Sequence, residues 1–397
     1  MVRRKDAFEQ QLAQMLEFVD AELLPLEAEF LRNSHALETT LNAKRAKVRE
    51  LGLWAPNLPK SLGGMGIDLV QLGRVSEVLG RSPLGHYSFG CQAPDAGNAE
   101  LLHLYGNDEQ KTKYLTPLAA GDIRSCFGMT EPHTAGSNPT LLQTRAEKID
   151  GGWRIQGHKW FTSSADGAAF SIVMAVTDPD AEPHQRASMF LVDTANPGWG
   201  FVRNIPVMGE AHGGYFAHSE IDLNDVEIGD DALLGEVGAG FTMAQARLGP
   251  GRIHHCMRWL GICARALDLM CERAASRQIA ADTVLGDTQF AAGWIAESAA
   301  EIAAARALVL ETAAAVQEHG FKSARTQVSM IKYHVAGVLQ RVLDRALQAH
   351  GALGMTDDTV IAWYYRHERA ARIYDGPDEV HQLSVARQLL KPYRKSA

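Results

Sequence analysis

The chain has 397 residues, 46% hydrophobic and 22% charged, an ordinary folded composition long enough for two or three domains. Its formal charge of −8, from 39 Lys and Arg against 47 Asp and Glu, excludes the broad basic surface that nucleic-acid binding requires. No stretch reaches the roughly 18 uninterrupted apolar residues of a membrane helix, so no membrane span is expected.

The opening string MVRRKDAFEQQLAQML has no apolar core and no small-residue cleavage site. Asp6 and Glu9 come too early for a transit peptide, so a cytoplasmic chain is expected. Residues 1–124 read as an N-terminal α-helical domain. AFEQQLAQMLEFVDAELLPLEAEF carries an apolar stripe at helical spacing as far as Pro25, which should stop the helix. NLPKSLGGMGIDL is too rich in Gly and Pro for regular structure, and DEQKTKYLTPLAAGD predicts a short helix. The period changes after Arg124. DGGWRIQGHKWFTS, FSIVMAVTD, ASMFLVDT and SEIDLNDVEI read as strands, cut by turn signals at Asp150-Gly151, Pro179, Pro183 and Pro197-Gly198. Residues 125–235 are therefore expected to form a middle antiparallel β-barrel or sandwich.

From 236 to 397 the period is helical again. Ile253, Cys256, Leu260, Cys263, Leu267, Met270 and Ala274 alternate steps of three and four, a bundle seam. Ile295, Ile302, Val309 and Val316 mark a second helix, and Val328, Ile331, Val335, Val338 and Val342 a third. A fourth stretch, 358–374, completes a predicted C-terminal four-helix bundle. The fold class is mainly α with a central β domain. No G-x-G-x-x-G follows a strand, which excludes a doubly wound nucleotide fold. Cys91, Cys126, Cys256, Cys263 and Cys271 form no C-x-x-C pair and read as buried thiols in a reducing compartment. His254, His255 and Cys256 are consecutive, and consecutive helical side chains point about 100° apart, so no metal site is expected. Near the end, IYDGPDEVH breaks the helical pattern, because Gly376 leaves a helix cheaply and Pro377 opens a new one well. Asp375 is then either a helix cap or a carboxylate set at a break where chemistry happens, and the local pattern leaves both open.

Five strings, in order, resemble the acyl-CoA dehydrogenase family across nearly the whole chain. They are SCFGMTEPHTAGSN (125–138), GHKWFTS (157–163), GEVGAGFTMAQARLGPGR (235–252), QAHGALGM (348–355) and RIYDGPDEVHQLSVAR (372–387). APDAGNAELLHLYG (93–106), RLGPGRIHHCMR (247–258) and DGPDEVH resemble more narrowly the branch in which larger proteins fuse this unit to a kinase-like domain, for which this chain has no room.

The resemblance implies FAD as cofactor, an acyl-CoA substrate, an electron-transfer flavoprotein as acceptor, and a homotetramer (a dimer of dimers) or homodimer in fatty acid and lipid metabolism. The implied reaction is α,β-dehydrogenation, in which a base removes the α-proton of the thioester while the β-hydrogen passes to flavin as hydride, giving the 2-enoyl-CoA. Asp375 matches the position of the family's base, usually Glu. Some members carry the base instead on the first bundle helix, at the position of Gly251. Phe127, Met129, Thr130, Gly136, Ser137, Trp160, Phe161 and Thr162 match cofactor-lining positions. Arg277, Gln289, Gln348, Gly351, Pro377 and Glu379 match further cofactor contacts, with Arg277 and Gln348 reaching in from a neighbouring subunit. Ser137, Arg252, Tyr374 and Gly376 match the substrate side, Arg252 toward coenzyme A. The chain departs from the pattern at Ala280, where an aromatic residue is usual, at Ala352, where a second Gly is usual, and at Gly249, where an Asp is common. Two rivals follow: a flavin oxidase of the same fold, either a nitroalkane oxidase with its aspartate base or an acyl-CoA oxidase, and a flavin-free structural or binding homologue.

Overall fold

The computed structural model describes residues 7–32, 37–210 and 213–394, with the backbone alone at 248–250. Residues 1–6, on which part of the leader reading rests, lie outside the described residues. Two compact units emerge: residues 1–53, 67–88 and 249–397 form one, and residues 54–66 and 89–248 the other.

The N-terminal helices are α1 (Ala7–Phe18), α2 (Glu27–Arg32), α3 (Glu38–Glu50), α4 (Leu69–Leu79) and α5 (Gly85–Ser88). Pro25 does not stop the first of them as expected. The chain stays helical through a π turn (Val19–Leu23) and a 3-10 turn (Leu24–Leu26) that has Pro at its start, where a missing N–H matters least. Helix α4 begins at a capping box, with Gln71 N donating to Asp68 Oδ1 at 2.8 Å and Asp68 N to Gln71 Oε1 at 3.1 Å.

The second unit contains α6 (Asp95–Tyr105), α7 (Asp108–Gln110) and α8 (Thr116–Ala120), followed by a sheet. Its strands are β1 (Ser125–Gly128), β2 (Arg145–Ile149), β3 (Gly152–Ser163), β4 (Phe170–Val176), β5 (Ala187–Asp193), β6 (Trp199–Asn204), β7 (His218–Gly229) and β8 (Leu233–Leu234). The spatial order is β6-β7-β3-β2-β4-β5-β8, with β1 alongside β4. Pairing is antiparallel except for β1 with β4 and the single Arg145–Val176 pair of β2 with β4. Alternating residues of β3, β5 and β7, including Trp153, Ile155, Phe190, Val192, Ile221 and Leu223, close over one core. The register of β3 against β7 slips between Lys159 and Thr162, and Phe161 has a φ of 49°, a bulge that re-aims the strand where the GHKWFTS string lies.

A two-stranded hairpin, β9 (Gln278–Ala280) and β10 (Thr283–Val284), directly follows Arg277. The long helices are α9 (Gly240–Ser276), α10 (Gln289–Ser323) and α11 (Arg325–His350). Val328, Ile331, Val335, Val338 and Val342 are all buried, and on α10 Val309 and Val316 are buried while Ile295 and Ile302 are half-buried, with Ala291, Ser298, Ala305 and Thr312 also turned inward. The expected fourth helix over 358–374 is shorter. Helix α12 (Val360–Glu368) gives way to a 3-10 turn, and α13 (Asp378–Leu390) follows the break. At that end the Glu368 carbonyl accepts from Gln340 Nε2 at 2.9 Å and its carboxylate from Arg258, so long-range partners take the place of the helical ladder. Among the described residues no helix is long and apolar enough to cross a membrane.

Candidate active site

The TEP loop leaves β1 and returns to the sheet through main-chain and charged contacts. Trp160 N donates to the Thr130 carbonyl at 3.0 Å. Lys159 Nζ donates to the Met129 carbonyl at 3.0 Å and to Glu131 Oε1 at 2.9 Å. Trp160 is thus tied to Thr130, and Thr162 follows two residues further along β3. Thr162 is fully buried and its hydroxyl has no partner, which marks a polar group waiting for one. Phe161 stands 43% exposed and packs edge-on against Trp160, ring centroids 5.0 Å apart. Gly136 packs on Thr130, where an added Cβ would approach Thr130 Cγ2 to 3.2 Å, and Ser137 is exposed beside it. Phe127 carries the Arg247 guanidinium over its ring at 4.3 Å. Near Arg247, burial raises the Glu100 carboxyl to about 7 although Arg247 opposes the shift. Neither Arg247 nor Glu100 was singled out from sequence.

In the other unit, the break between α12 and α13 is built on two left-handed residues, Asp375 at φ 55° and Gly376 at φ 96°. A Cβ on Gly376 would lie 2.8 Å from His381 Nε2, so only glycine fits. The Asp375 carbonyl accepts from Arg252 Nε at 3.3 Å and from His381 Nε2 at 3.0 Å. The Gly376 carbonyl accepts from Lys332 Nζ at 2.6 Å. Tyr374 Oη accepts from Arg258 Nη2 and Trp259 Nε1, each at 2.9 Å, and Arg258 also grips Glu368 at 2.6 and 2.9 Å. The Asp375 carboxylate bonds His255, with Nδ1 2.6 Å from Oδ2. The N-cap of α13 is Pro377, with no side-chain cap, so Asp375 is not the capping residue.

The electrostatics follow from burial. His381 is pushed down to about 4 by burial, so the neutral ring donates its Nε2 hydrogen to the carbonyl. Burial likewise lowers Lys332, opposed by Asp378 and Asp375, and lowers Arg252, opposed by Asp375. Tyr374 is raised by burial and stays protonated. An added Cβ at Gly251 would meet nothing within 4 Å, so the alternative base position has space and no side chain.

Arg277, Gln289, Gln348, Gly351 and Glu379 are exposed, and Pro377 is half-buried. His255, Arg258, Lys332 and His381 were missed as parts of this loop's frame. Arg252 and His255 do share a face at i and i+3 on α9, a signal the sequence carried. His254 turns the other way, 2.5 Å from Ser76 Oγ, so His254 and His255 do not converge. Among the described residues no cluster of three metal-ligating side chains is present.

Residues 6–122, 126–226 and 238–390 match in turn the N-terminal, middle and C-terminal domains of acyl-CoA dehydrogenase. Over 358 residues the chain is 42% identical to FadE2 of Mycobacterium tuberculosis, assigned as an acyl-CoA dehydrogenase, covering 89% of this chain and 86% of that protein. It is 39% identical over 398 residues to mouse acyl-CoA dehydrogenase family member 10, covering 95% of this chain but spanning only 36% of that relative. A solved structure assigned as an acyl-CoA dehydrogenase from Mycobacterium abscessus matches with TM-score 0.93 at 36% identity, over 98% of this chain and 100% of that one.

Proposed function

Because the chain belongs to the acyl-CoA dehydrogenase family, whose cofactor is FAD, we propose that it dehydrogenates an acyl-CoA thioester to the 2-enoyl-CoA with Asp375 as base. The observation that carries this reading is the Asp375 carboxylate at a helix break whose carbonyls are pinned by Arg252, His381 and Lys332. A carboxylate held in this way keeps its geometry while it accepts a proton, and position is worth much of the rate.

When bound, FAD supplies the two-electron acceptor for the β-hydrogen. Phe127, Met129, Thr130, Gly136, Ser137, Trp160, Phe161 and Thr162 would hold it, and the orphaned Thr162 hydroxyl is the feature that fits a polar ring edge. Arg277 and Gln348, both exposed, are the proposed contribution to a neighbouring copy in a dimer or a dimer of dimers, with Gly351 letting the backbone approach, and Gln289, Pro377 and Glu379 are proposed as further cofactor contacts. Tyr374 N bonds the Ala370 carbonyl and helical bonding resumes at Val380 N. By the family resemblance one main-chain N–H at this break is assigned to the thioester carbonyl, where a donor lowers the cost of the developing enolate charge. Arg252 Nε already holds the Asp375 carbonyl, so its proposed coenzyme A contact belongs to its terminal nitrogens. An electron-transfer flavoprotein is the proposed acceptor.

A second reading, a nitroalkane or acyl-CoA oxidase, is favoured by one observation, the aspartate at the position where the common base is Glu. Anaerobic addition of acyl-CoA thioesters and, separately, of nitroalkanes to the purified protein decides between the dehydrogenase and the nitroalkane oxidase, and the rate at which oxygen then reoxidises the reduced flavin decides between the dehydrogenase and the acyl-CoA oxidase. Bleaching of the oxidised flavin band is expected. Bleaching by nitroalkanes alone would favour the oxidase, and a colourless protein that takes up no FAD would overturn both.

A further inference from the structure

We propose that His255 is the positioning residue of the base, forming with Asp375 a pair matched in length. The proposal rests on the reading of Asp375 as base and explains why that base is an aspartate.

The contact is short, 2.6 Å between Nδ1 and Oδ2, and shielded, with 17% and 15% of the two side chains exposed. An ionised carboxylate has no hydrogen to give, so Nδ1 carries the hydrogen and donates it. The imidazole is itself held. It meets Tyr374 edge-on at 5.5 Å and lies 6.3 Å from Trp259, and the Tyr374 hydroxyl is fixed by Arg258 and Trp259.

The neighbouring charged groups play other parts. Arg252 from α9, Lys332 from α11 and His381 from α13 bond main-chain carbonyls of the loop, whereas His255 bonds the carboxylate itself. Asp378 is engaged by Arg372, with Lys332 at 3.8 Å, and Glu368 is engaged by Arg258. His254, bonded to Ser76 of α4, is pushed down to about 3 by burial and carries no charge at neutral pH. Arg325 and the buried Cys256 thiol act on Arg252, and His86 of α5, which meets the His254 ring at 4.9 Å, is held well below the ordinary imidazole range by burial and so is uncharged beside this pair of histidines. A donor to the ionised form favours ionisation, so His255 keeps the base ready at lower pH. The contact also has no slack. One further methylene at 375 would drive the carboxylate into the imidazole, so a Glu at 375 demands a smaller residue at 255.

The test is stopped-flow anaerobic reduction of the holoenzyme by a thioester that bleaches the wild type. His255→Phe should keep FAD content and Tm, slow reduction about tenfold or more, and move the acid limb of the pH–rate profile upward by about one pH unit. His255→Asn, whose Nδ2 stands where Nδ1 does, should recover most of the rate. Asp375→Glu should be slow alone and about tenfold faster when combined with His255→Ala. A His255→Phe enzyme with the wild-type rate and pH profile, or an Asp375→Glu enzyme gaining nothing from His255→Ala, overturns the pair. Wild-type reduction by Asp375→Asn would instead overturn the base reading, so the two failures are distinct.

Discussion

Lys159 and Glu131 meet at 2.9 Å with 1% and 4% of their side chains exposed. Glu131 also accepts from the N–H groups of Gln143 and Thr144 at 2.7 and 2.9 Å, so its carboxylate is fully occupied. Burial pushes Lys159 down to about 8, with Glu131 opposing. Burial pushes Glu131 up, but Lys159 and Thr144 hold it below the usual carboxylate range. Both are therefore charged at neutral pH, and they tie the TEP loop to the strand that carries Trp160.

Removing one member strands the other in a dry site. Lys159→Met should cost about 3–5 kcal/mol and lower FAD content, because the Met129–Glu131 segment loses its tether. The double variant Glu131→Leu with Lys159→Met should recover much of the stability. Thermal unfolding of the three proteins checks this, and equal Tm values for both variants would contradict it.

Thr162→Val removes a hydroxyl that bonds nothing in the protein. The apoprotein should be as stable as wild type or more so, since an unmatched buried polar group is lost. FAD affinity should fall by about tenfold, the worth of one hydrogen bond. Titration of apoprotein with FAD, followed by flavin fluorescence, measures it.

Gly376→Ala places a Cβ 2.8 Å from His381 Nε2 at a φ of 96°. The strain should cost about 1–3 kcal/mol and displace the His381 bond to the Asp375 carbonyl. Flavin reduction should slow far more than FAD release accelerates. Denaturant unfolding and single-turnover reduction read the two effects separately.

Glu27 on α2 is buried, its Oε1 has no partner, and Arg265 Nη2 is 3.6 Å from Oε2. Burial raises the carboxyl from 4.5 to about 7, against Arg265 and Arg81. The folded protein thus holds a proton between those values that the unfolded chain has released. Stability must fall as pH rises through that window, by on the order of 3 kcal/mol, and remain lower above it. Glu27→Gln removes the dependence. The Tm of wild type minus that of the variant should become more negative from pH 5 to pH 8, and a constant difference would refute the assignment.

The α–β–α order and the break at Gly376-Pro377 were legible because period and turn chemistry are local properties. The partners of the break were not. His255 is 120 positions from Asp375, and Lys332 stands 44 positions from Gly376 inside an apolar stripe, where no local rule says which lysine turns inward. The bulge at Phe161 was hidden for a similar reason, since GHKWFTS reads as unbroken alternation until β7 pairs with it. Pro25 misled because proline forbids a hydrogen bond rather than a helical direction, and a 3-10 turn meets that demand.

Arg252, His381 and Lys332 grip main-chain carbonyls of residues 375 and 376 and none of them bonds the side chain at 375. The side chain at 375 can therefore be exchanged without releasing one of those anchors. The loop works as a socket with a replaceable tool, and members of such a family can inherit the mounting while their reagents diverge.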